Sequence, residues 1–243
     1  MSELTQRQQD LLLSIIREFT KTAEAVGSIS LQSKYKLDLS PATIRNEMAA
    51  LVNLGYLFQK HNSGGRIPTT KGWRFFIESL STEELNQIDE VTKEKIKEEL
   101  YGLRPNTKNL IRKAMFELSR LSLNPSVAII ENELYYAGLS EMVNIPEFKE
   151  YDNLRRILKL MEDYFTLSEI LNKGTSDDEI NIIIGEEAEN SLFTDYAVIF
   201  SEIRVMNSQR GYIAVIGPNR MDYLNIIPAV KYITDTIRYL LSA

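Results

Sequence analysis

The sequence contains no cysteine and a single histidine among its 243 residues. The absence of cysteine excludes disulfide bonds and thiolate metal sites, and it suits a reducing compartment. The one histidine, His61, excludes histidine-rich metal sites and leaves no second histidine for a Ser/His/Asp triad. We therefore predict no metal ion, no cofactor and no catalytic residues, and we do not expect an enzyme.

The sequence also lacks a long hydrophobic run. No stretch approaches the roughly 18 uninterrupted apolar residues of a membrane-spanning helix. The first residues do not follow the pattern of a signal peptide, because Arg7, Asp10 and Arg17 stand where its apolar stretch would run. We therefore expect a cytoplasmic protein that does not enter a membrane.

The charges are unevenly distributed along the chain. The net charge is −6, but residues 1–75 contain ten Lys or Arg against six Asp or Glu. The rest of the chain therefore carries the excess of acidic side chains. A basic amino-terminal segment joined to an acidic body favours binding of a polyanion by that segment alone.

Helix start and stop signals divide the first 55 residues into three helices. A capping-box pattern at Thr5 predicts a first helix over about residues 6–25. Ser30 is expected to cap a short second helix. Ser40 and Gly55 occupy the N-cap and C-terminal glycine positions of a third helix, which has proline at its first position.

A hairpin and a fourth helix follow. The stretches "YLFQKH" and "RIPT" predict two short strands joined by the turn "NSGG", and Pro68 confines the second strand to an edge. Thr70 is expected to cap the next helix, with Trp73, Phe75 and Phe76 in the core. Three helices followed by a two-stranded hairpin is the element order of a winged helix-turn-helix.

The remainder of the chain predicts a mixed sheet with helices, which is an α+β fold. Residues 82–121 have a helical pattern that Gly102 and Pro105 interrupt. Strand-like stretches are "SVAII", "ELYYAGLSEM", "EINIIIG", "YAVIFSEIRV" and "GYIAVIG". Amphipathic helices are predicted over residues 154–171 and 224–241.

The third helix has an outward face without the Lys and Glu of an ordinary solvated helix. Its buried stripe consists of Ile44, Met48, Leu51 and Val52. The opposite side carries small and hydrogen-bonding residues: Ala42, Thr43, Arg45, Asn46, Ala49, Ala50 and Asn53. Small residues permit close approach to a surface, and Asn and Arg match adenine and guanine edges. The alternative is a solvated helix whose alanines merely favour helicity.

Residues around the second helix and the hairpin suit contacts with DNA phosphates. Hydroxyl, amide and cationic groups cluster on the second helix, and cations flank the glycine-rich hairpin tip; an exposed hairpin with polar ends is the alternative. The predicted partner is therefore double-stranded DNA. The predicted DNA-binding residues are Ser30, Gln32, Ser33, Lys34, Ser40, Thr43, Arg45, Asn46, Ala49, Lys60, His61, Asn62, Ser63 and Arg66.

Two further stretches do not carry the chemistry that they suggest at first sight. The acidic run "TSDDEINIIIGEE" is interpreted as solvated loop acids before a strand, because such acids are far commoner than catalytic pairs. The stretch "GYIAVIGPNRMDY" lacks the glycine spacings that bind phosphate groups. It is interpreted as a strand, a turn and a helix start.

Several of these stretches resemble the HrcA family of heat-inducible repressors of bacterial chaperone genes. The resemblance is dense over residues 4–76, above all in "SPATIRNEMAALVNLGYL" followed by "HNSGGRIPT". It extends less densely through "LYYAGLSEMVNIPEF" and "IGPNRMDY". It implies a winged-helix DNA-binding domain over residues 1–80, a helical linker or dimerisation segment over 81–122 and a GAF-like domain over 123–243.

The resemblance also implies a mode of action. Such proteins bind an inverted-repeat operator, called CIRCE, as homodimers upstream of the groE and dnaK operons. The GroEL chaperonin holds them active, and heat stress relieves repression. Members of the family usually carry a long stretch between the segments that match "LSLNPSVAII" and "LYYAG", and it supplies an inserted dimerisation subdomain. Here only "ENE" joins the two, so the dimer contact is expected to differ and to involve residues 82–121 and the last helix instead.

Two alternatives remain open at this stage. A small ligand in a pocket among strands 127–139 and 196–216 could gate the binding of DNA. The winged helix could instead serve as a protein interaction module, which predicts an acidic or apolar face on the third helix. The basic, alanine-rich face argues against that second alternative.

Overall fold

The computed structural model describes residues 4–35, 39–59, 64–130, 132–174, 180–204 and 210–242. Its contacts divide the chain into two compact units, Met1–Leu80 and Ser81–Ala243. Within the described ranges, no helix has both the length and the apolar character needed to cross a membrane.

The amino-terminal unit has the elements of a winged helix, and this part of the predicted fold is confirmed. Its elements are α1 (Gln6–Thr22), α2 (Ser28–Tyr35), α3 (Pro41–Asn53), β1 (Leu57–Phe58), β2 (Ile67–Pro68) and α4 (Thr70–Ser79). The strands β1 and β2 pair antiparallel. A separate bridge joins Val26 to Arg66, so the chain before α2 adds a third short partner to the hairpin.

The helix-boundary signals at Thr5, Ser40 and Gly55 are confirmed. The Thr5 hydroxyl accepts from the backbone of Gln8, whose side chain accepts from the Thr5 backbone in return. Ser40 accepts from the Thr43 backbone at 3.1 Å. Gly55 has a φ of 79°, a left-handed conformation that glycine adopts without strain and that ends α3.

Two predicted caps are wrong. α2 begins at Ser28, so Ser30 lies inside the helix and its hydroxyl donates to the Gly27 carbonyl. The N-cap of α4 is Thr69, not Thr70. At α4 the error arises because two neighbouring threonines offer equivalent caps; the Thr69 hydroxyl also donates to the Gly55 carbonyl.

The core of the amino-terminal unit joins α1, α3 and α4. Three members of the predicted α3 stripe, Ile44, Met48 and Leu51, are fully buried. Trp73 is buried, with its ring 6.2 Å from those of both Phe19 and Phe76. These contacts hold α3 with its opposite side outward.

The second unit is built on a five-stranded sheet with the order β4-β3-β7-β6-β5. Its elements are α5 (Glu90–Tyr101), α6 (Thr107–Ser122), β3 (Ser126–Ile130), β4 (Glu133–Ala137), α7 (Tyr151–Glu162), α8 (Tyr164–Leu171), β5 (Asn181–Ile184), β6 (Tyr196–Arg204), β7 (Arg210–Pro218) and α9 (Tyr223–Ser242). Short 3-10 helices cover Leu139–Asn144, Pro146–Lys149 and Gly185–Ala188.

The α+β class is confirmed, but the prediction of a mixed sheet is wrong, because every described strand pair is antiparallel. β3 and β4, and likewise β6 and β7, are adjacent in both sequence and sheet. Such neighbours reverse direction through short connections, whereas a parallel pair needs a long crossover. The alternating apolar pattern identifies a strand but does not give its direction.

Helices cover both faces of this sheet. α6 and α9 pack on one face. On the other face α7 and α8 form a core with apolar residues of β3, β6 and β7. The single helix predicted over 154–171 is two helices, because Asp163 ends α7 and caps α8 by accepting from the Thr166 backbone at 3.1 Å.

A buried carboxylate links α5 to α6. Glu117 is 4% exposed and pairs with Lys113 at 2.9 Å and with Arg120 at 2.8 Å. Lys113 also pairs with Glu99 of α5 at 2.8 Å. Burial acts to raise the pKa of Glu117, but the hydrogen bonds from Lys113 and Arg120 outweigh it and lower this pKa below its ordinary value.

We predict that Glu117→Gln lowers the free energy of unfolding at pH 7 by about 1–3 kcal/mol, because it removes charged hydrogen bonds. A lowered folded pKa contributes stability that is present above the unfolded value and is lost as pH falls through the folded value. The loss of unfolding free energy in the variant should therefore shrink below pH 4.5, the ordinary pKa of a glutamate side chain. Urea unfolding across this range measures it, with the exposed Glu98→Gln as control. An equal deficit at every pH would contradict the prediction.

Candidate nucleic-acid interface

The outward side of α3 is exposed as its sequence pattern predicts. Ala42, Arg45, Asn46, Ala49 and Asn53 are all exposed. Thr43 and Ala50, which flank this side, are half-buried. We call these seven residues the α3 face.

The acidic residue of α3 points away from the α3 face. Glu47 forms an ion pair with Arg7 and accepts from the Gln8 side chain at 3.1 Å. Its side chain is only 11% exposed. Because this carboxylate is turned toward α1, Arg45 is the one charged member of the α3 face.

The side chains of α2 are engaged with nearby backbone. The Ser30 and Ser33 hydroxyls donate to the Gly27 and Ser30 carbonyls at 2.9 and 3.0 Å. The Gln32 side chain donates to the Leu39 carbonyl at 3.0 Å and so ties α2 to the chain just before α3. The first N–H groups of a helix have no acceptor within it, so the start of α2 supplies backbone donors.

Lys34 has a partner that sequence reasoning missed. Its ammonium group pairs with the carboxylate of Glu18, a residue of α1 that is 7% exposed. The hydrogen bond to Glu18 and its negative charge raise the pKa of Lys34 above the ordinary value. Periodicity places Glu18 in α1 but gives no sign of this contact, since the two residues meet only through the packing of α1 on α2.

The structure describes only part of the predicted wing contacts. Lys60, His61, Asn62 and Ser63 lie outside the described residues. Arg66 exchanges two backbone hydrogen bonds with Val26, both at 2.9 Å, and its guanidinium group donates to the Gly64 carbonyl at 3.2 Å. The base of the wing is therefore fixed to the chain between α1 and α2.

Gly65 allows this close approach. A Cβ atom at position 65 would lie 2.4 Å from the Ala25 carbonyl carbon and oxygen and 2.7 Å from the Val26 nitrogen. No side chain can occupy that space, because the obstructing atoms are backbone. The sequence predicts only a turn for the glycines of "NSGG" and gives no sign of this packing role.

The structure shows a cavity in the second unit. It has a volume of about 300 Å³ and lies between the segment before α5, with Leu85 and Ile88, and the α9 residues Ile227 and Tyr232. It does not lie among strands 127–139 and 196–216, where the alternative of a gating ligand requires a pocket. Among the residues that the structure describes, no group of three or more His, Asp or Glu side chains could hold a metal ion.

Two family models match the chain. The model described as "Winged helix-turn-helix transcription repressor, HrcA DNA-binding" matches residues 3–82. The model described as "HrcA protein C terminal domain" matches residues 70–227. The first match contains the whole α3 face.

Curated relatives match over nearly the full chain. A heat-inducible transcription repressor HrcA from Pelotomaculum thermopropionicum is 24% identical, covering 98% of this chain and 97% of the relative. One from Clostridioides difficile is 26% identical over 96% of this chain and 98% of the relative. The first alignment runs over 338 residues, whereas this chain has 243, so many positions of the relative have no counterpart here.

A solved crystal structure supports the fold. It is described as that of a hypothetical protein at 2.2 Å resolution, and it superposes with a TM-score of 0.82 at 19% identity. The superposition covers 99% of both chains.

We predict that Gly65→Ala lowers the free energy of unfolding by about 1–3 kcal/mol, because the added Cβ must displace backbone. Gly27→Ala is the matched control, since a Cβ there meets only the Ser30 hydroxyl, at 3.9 Å. Urea unfolding followed through Trp73 fluorescence reports on the amino-terminal unit. Equal losses in the two variants would show that the wing base is not tightly packed.

Proposed function

The chain belongs to the HrcA family of heat-inducible transcription repressors, and on this premise we propose that its α3 face reads the bases of an operator in the major groove. Membership of this family identifies DNA as the binding partner and the protein as a transcription repressor, not an enzyme. The observation that carries the proposal is the exposure of Arg45 and Asn46 among alanines, on a helix whose acidic residue is turned inward.

Base reading is assigned to three residues of α3. Arg45 and Asn46 can form bidentate hydrogen bonds with guanine and adenine edges, and Thr43 can contact a base or a thymine methyl group. Ala49 lies one turn beyond Arg45 and lets the helix approach the groove closely. We assign the Ser40 hydroxyl, which caps the N-terminus of α3, to a contact with the adjacent phosphate.

Phosphate contacts are assigned to the elements that flank α3. Backbone N–H groups at the start of α2 attract a phosphate, as helix N-termini do. The Lys34 ammonium keeps further donors beyond its bond to Glu18, and its side chain is 53% exposed. The other residues assigned to phosphate or groove contacts are Ser30, Gln32, Ser33, Lys60, His61, Asn62, Ser63 and Arg66.

We propose that two copies bind an inverted repeat of the CIRCE type upstream of chaperonin and dnaK operons, in the cytoplasm. A two-fold axis places two α3 helices in successive major grooves, about 34 Å apart. Occupation of the promoter then blocks RNA polymerase without covalent chemistry. If each half-site neutralises about three phosphates, the logarithmic salt slope is roughly −5.

We further propose that a GroEL-type chaperonin keeps this repressor active. During heat stress unfolded clients occupy the chaperonin, the repressor loses activity and transcription of chaperone genes rises. This control rests on family membership and on the resemblance in the sequence.

Binding to a labelled inverted-repeat duplex should be far tighter than to a scrambled duplex at equal salt. Arg45→Ala or Asn46→Ala should cost about 1–3 kcal/mol of binding free energy and relax the sequence preference, because each removes a base contact. Fluorescence anisotropy measures both effects.

Arg155→Ala is the matched control, since it removes one exposed positive charge from the second unit. It should leave affinity and preference nearly unchanged. Equal affinity of the unaltered chain for both duplexes would defeat the proposal of specific repression.

Addition of purified GroEL-type chaperonin should raise the fraction of repressor that protects the operator in a footprint. A chaperonin already loaded with an unfolded client should not do so, because the client competes for the same binding sites. Protection that is identical with free chaperonin, loaded chaperonin and none would overturn this part of the proposal.

A further inference from the structure

β4 is an edge strand whose outer backbone groups have no partner in the structure as described. Ile216 donates to the Pro125 carbonyl at 3.0 Å, which sets the alternation of hydrogen bonds along β3. With the β3–β4 register, Glu133, Tyr135 and Ala137 point their backbone groups at β3. Leu134 and Tyr136 therefore point theirs outward, and within the described ranges no backbone bond to them is found outside the sheet.

This edge lacks the usual protection against pairing. Natural edge strands carry lysine, proline or bulges, or lie under a loop. β4 has neither lysine nor proline, its one charged residue is Glu133 at its first position, and only two residues separate it in sequence from β3. Tyr136 is 49% exposed. Among the residues that the structure describes, the edge is therefore open, and it is apolar at its centre.

Further apolar surface lies beside the same edge. A Cβ at Gly138, just after β4, would lie 1.7 Å from the Ser119 hydroxyl, so this side of α6 faces the end of β4. At 100° per residue, Phe116 lies about 60° from Ser119 on the helix, and Leu123 is the residue that caps the C-terminus of α6. Their exposed fractions are 55% and 66%.

We propose that β4 pairs with β4 of a second copy, in antiparallel register about Tyr135, and that this contact forms the repressor dimer. Leu134 then exchanges backbone hydrogen bonds with the second copy's residue 136, and Tyr136 with its residue 134. The result is a continuous ten-stranded sheet. This inference rests on the proposed function, because an inverted repeat requires two-fold related copies.

The edge matches itself better than it matches an unrelated extended peptide. The register brings Leu134 beside Tyr136, an apolar pair, on both sides of the axis. Glu133, which pairs with Lys108 at 2.5 Å, is placed at the two outer ends, so the carboxylates do not oppose each other. A foreign strand would gain only the backbone bonds, whereas a second copy also brings its own Phe116 of α6 and Leu123, the C-cap of α6.

A charge at the edge tests the contact. Tyr136→Lys should weaken the dimer by at least about ten-fold in dissociation constant, because it places an ammonium group in the apolar centre of the interface. Tyr239→Lys on α9 is the matched control, since Tyr239 is 58% exposed and of the same residue type. Sedimentation equilibrium of the full chain measures both. A Tyr136→Lys variant that stays dimeric, or an unaltered chain that is monomeric at operator-binding concentrations, overturns the proposal.

The absence of cysteine allows a direct test of register. Residue 135 opposes its own counterpart at a Cα separation of about 4.5 Å, so Tyr135→Cys should form a disulfide-linked dimer under mild oxidation. Tyr136→Cys should not, because its counterpart lies about 8 Å away, beyond the reach of a disulfide. Cross-linking of Tyr136→Cys in preference to Tyr135→Cys would refute the register. If the Tyr135→Cys variant does not fold, the effect of Tyr136→Lys on the dissociation constant of the dimer decides whether the edge contact exists.

The two proposals can fail separately. If the unaltered chain prefers the inverted repeat but its dimer is insensitive to Tyr136→Lys, the edge contact is wrong and operator binding stands. If Tyr136→Lys dissociates the dimer while the unaltered chain shows no preference for the inverted repeat, the edge contact stands and operator recognition is wrong.

Discussion

The amino-terminal unit depends on one constraint, which is that α3 must bury one side completely while leaving the other bare. Ile44, Met48 and Leu51 meet the core, and Glu47 is drawn toward α1 by Arg7 and Gln8. Both contacts fix the rotation of the helix about its axis. A small rotation would bury the alanines and expose the carboxylate, and the surface offered to a polyanion would then repel it.

Local signals were sufficient for most of this unit. The caps at Thr5 and Ser40 and the glycine that ends α3 require only neighbouring residues, so the sequence predicts them. Interactions that depend on the packing of distant segments cannot be predicted from the sequence. The partner of Lys34 is 16 residues away on another helix, and the role of Gly65 follows from a backbone that approaches it from residues 25 and 26. The exposed side of α3 was predictable because helical periodicity alone defines it.

The second unit was predictable in its elements and less so in their arrangement. Strand positions follow from apolar runs, but their order β4-β3-β7-β6-β5 and antiparallel directions depend on contacts between distant segments. The break at Asp163 was missed because the apolar spacing continues through it, while the residue itself acts as a cap. An amphipathic pattern thus reports which side is buried without reporting whether the helix is continuous.

The turn between β3 and β4 has an evolutionary consequence. Its flanking residues, Ile130 and Glu133, are a hydrogen-bonded pair, so the chain leaves and re-enters the sheet at a single point. A segment of any size whose ends lie close together can be gained or lost there without moving a strand. Repressors of very different lengths can therefore share one scaffold. Loss of such a segment exposes the edge strand β4, and longer relatives are under no requirement that this strand pair with its counterpart in a second copy.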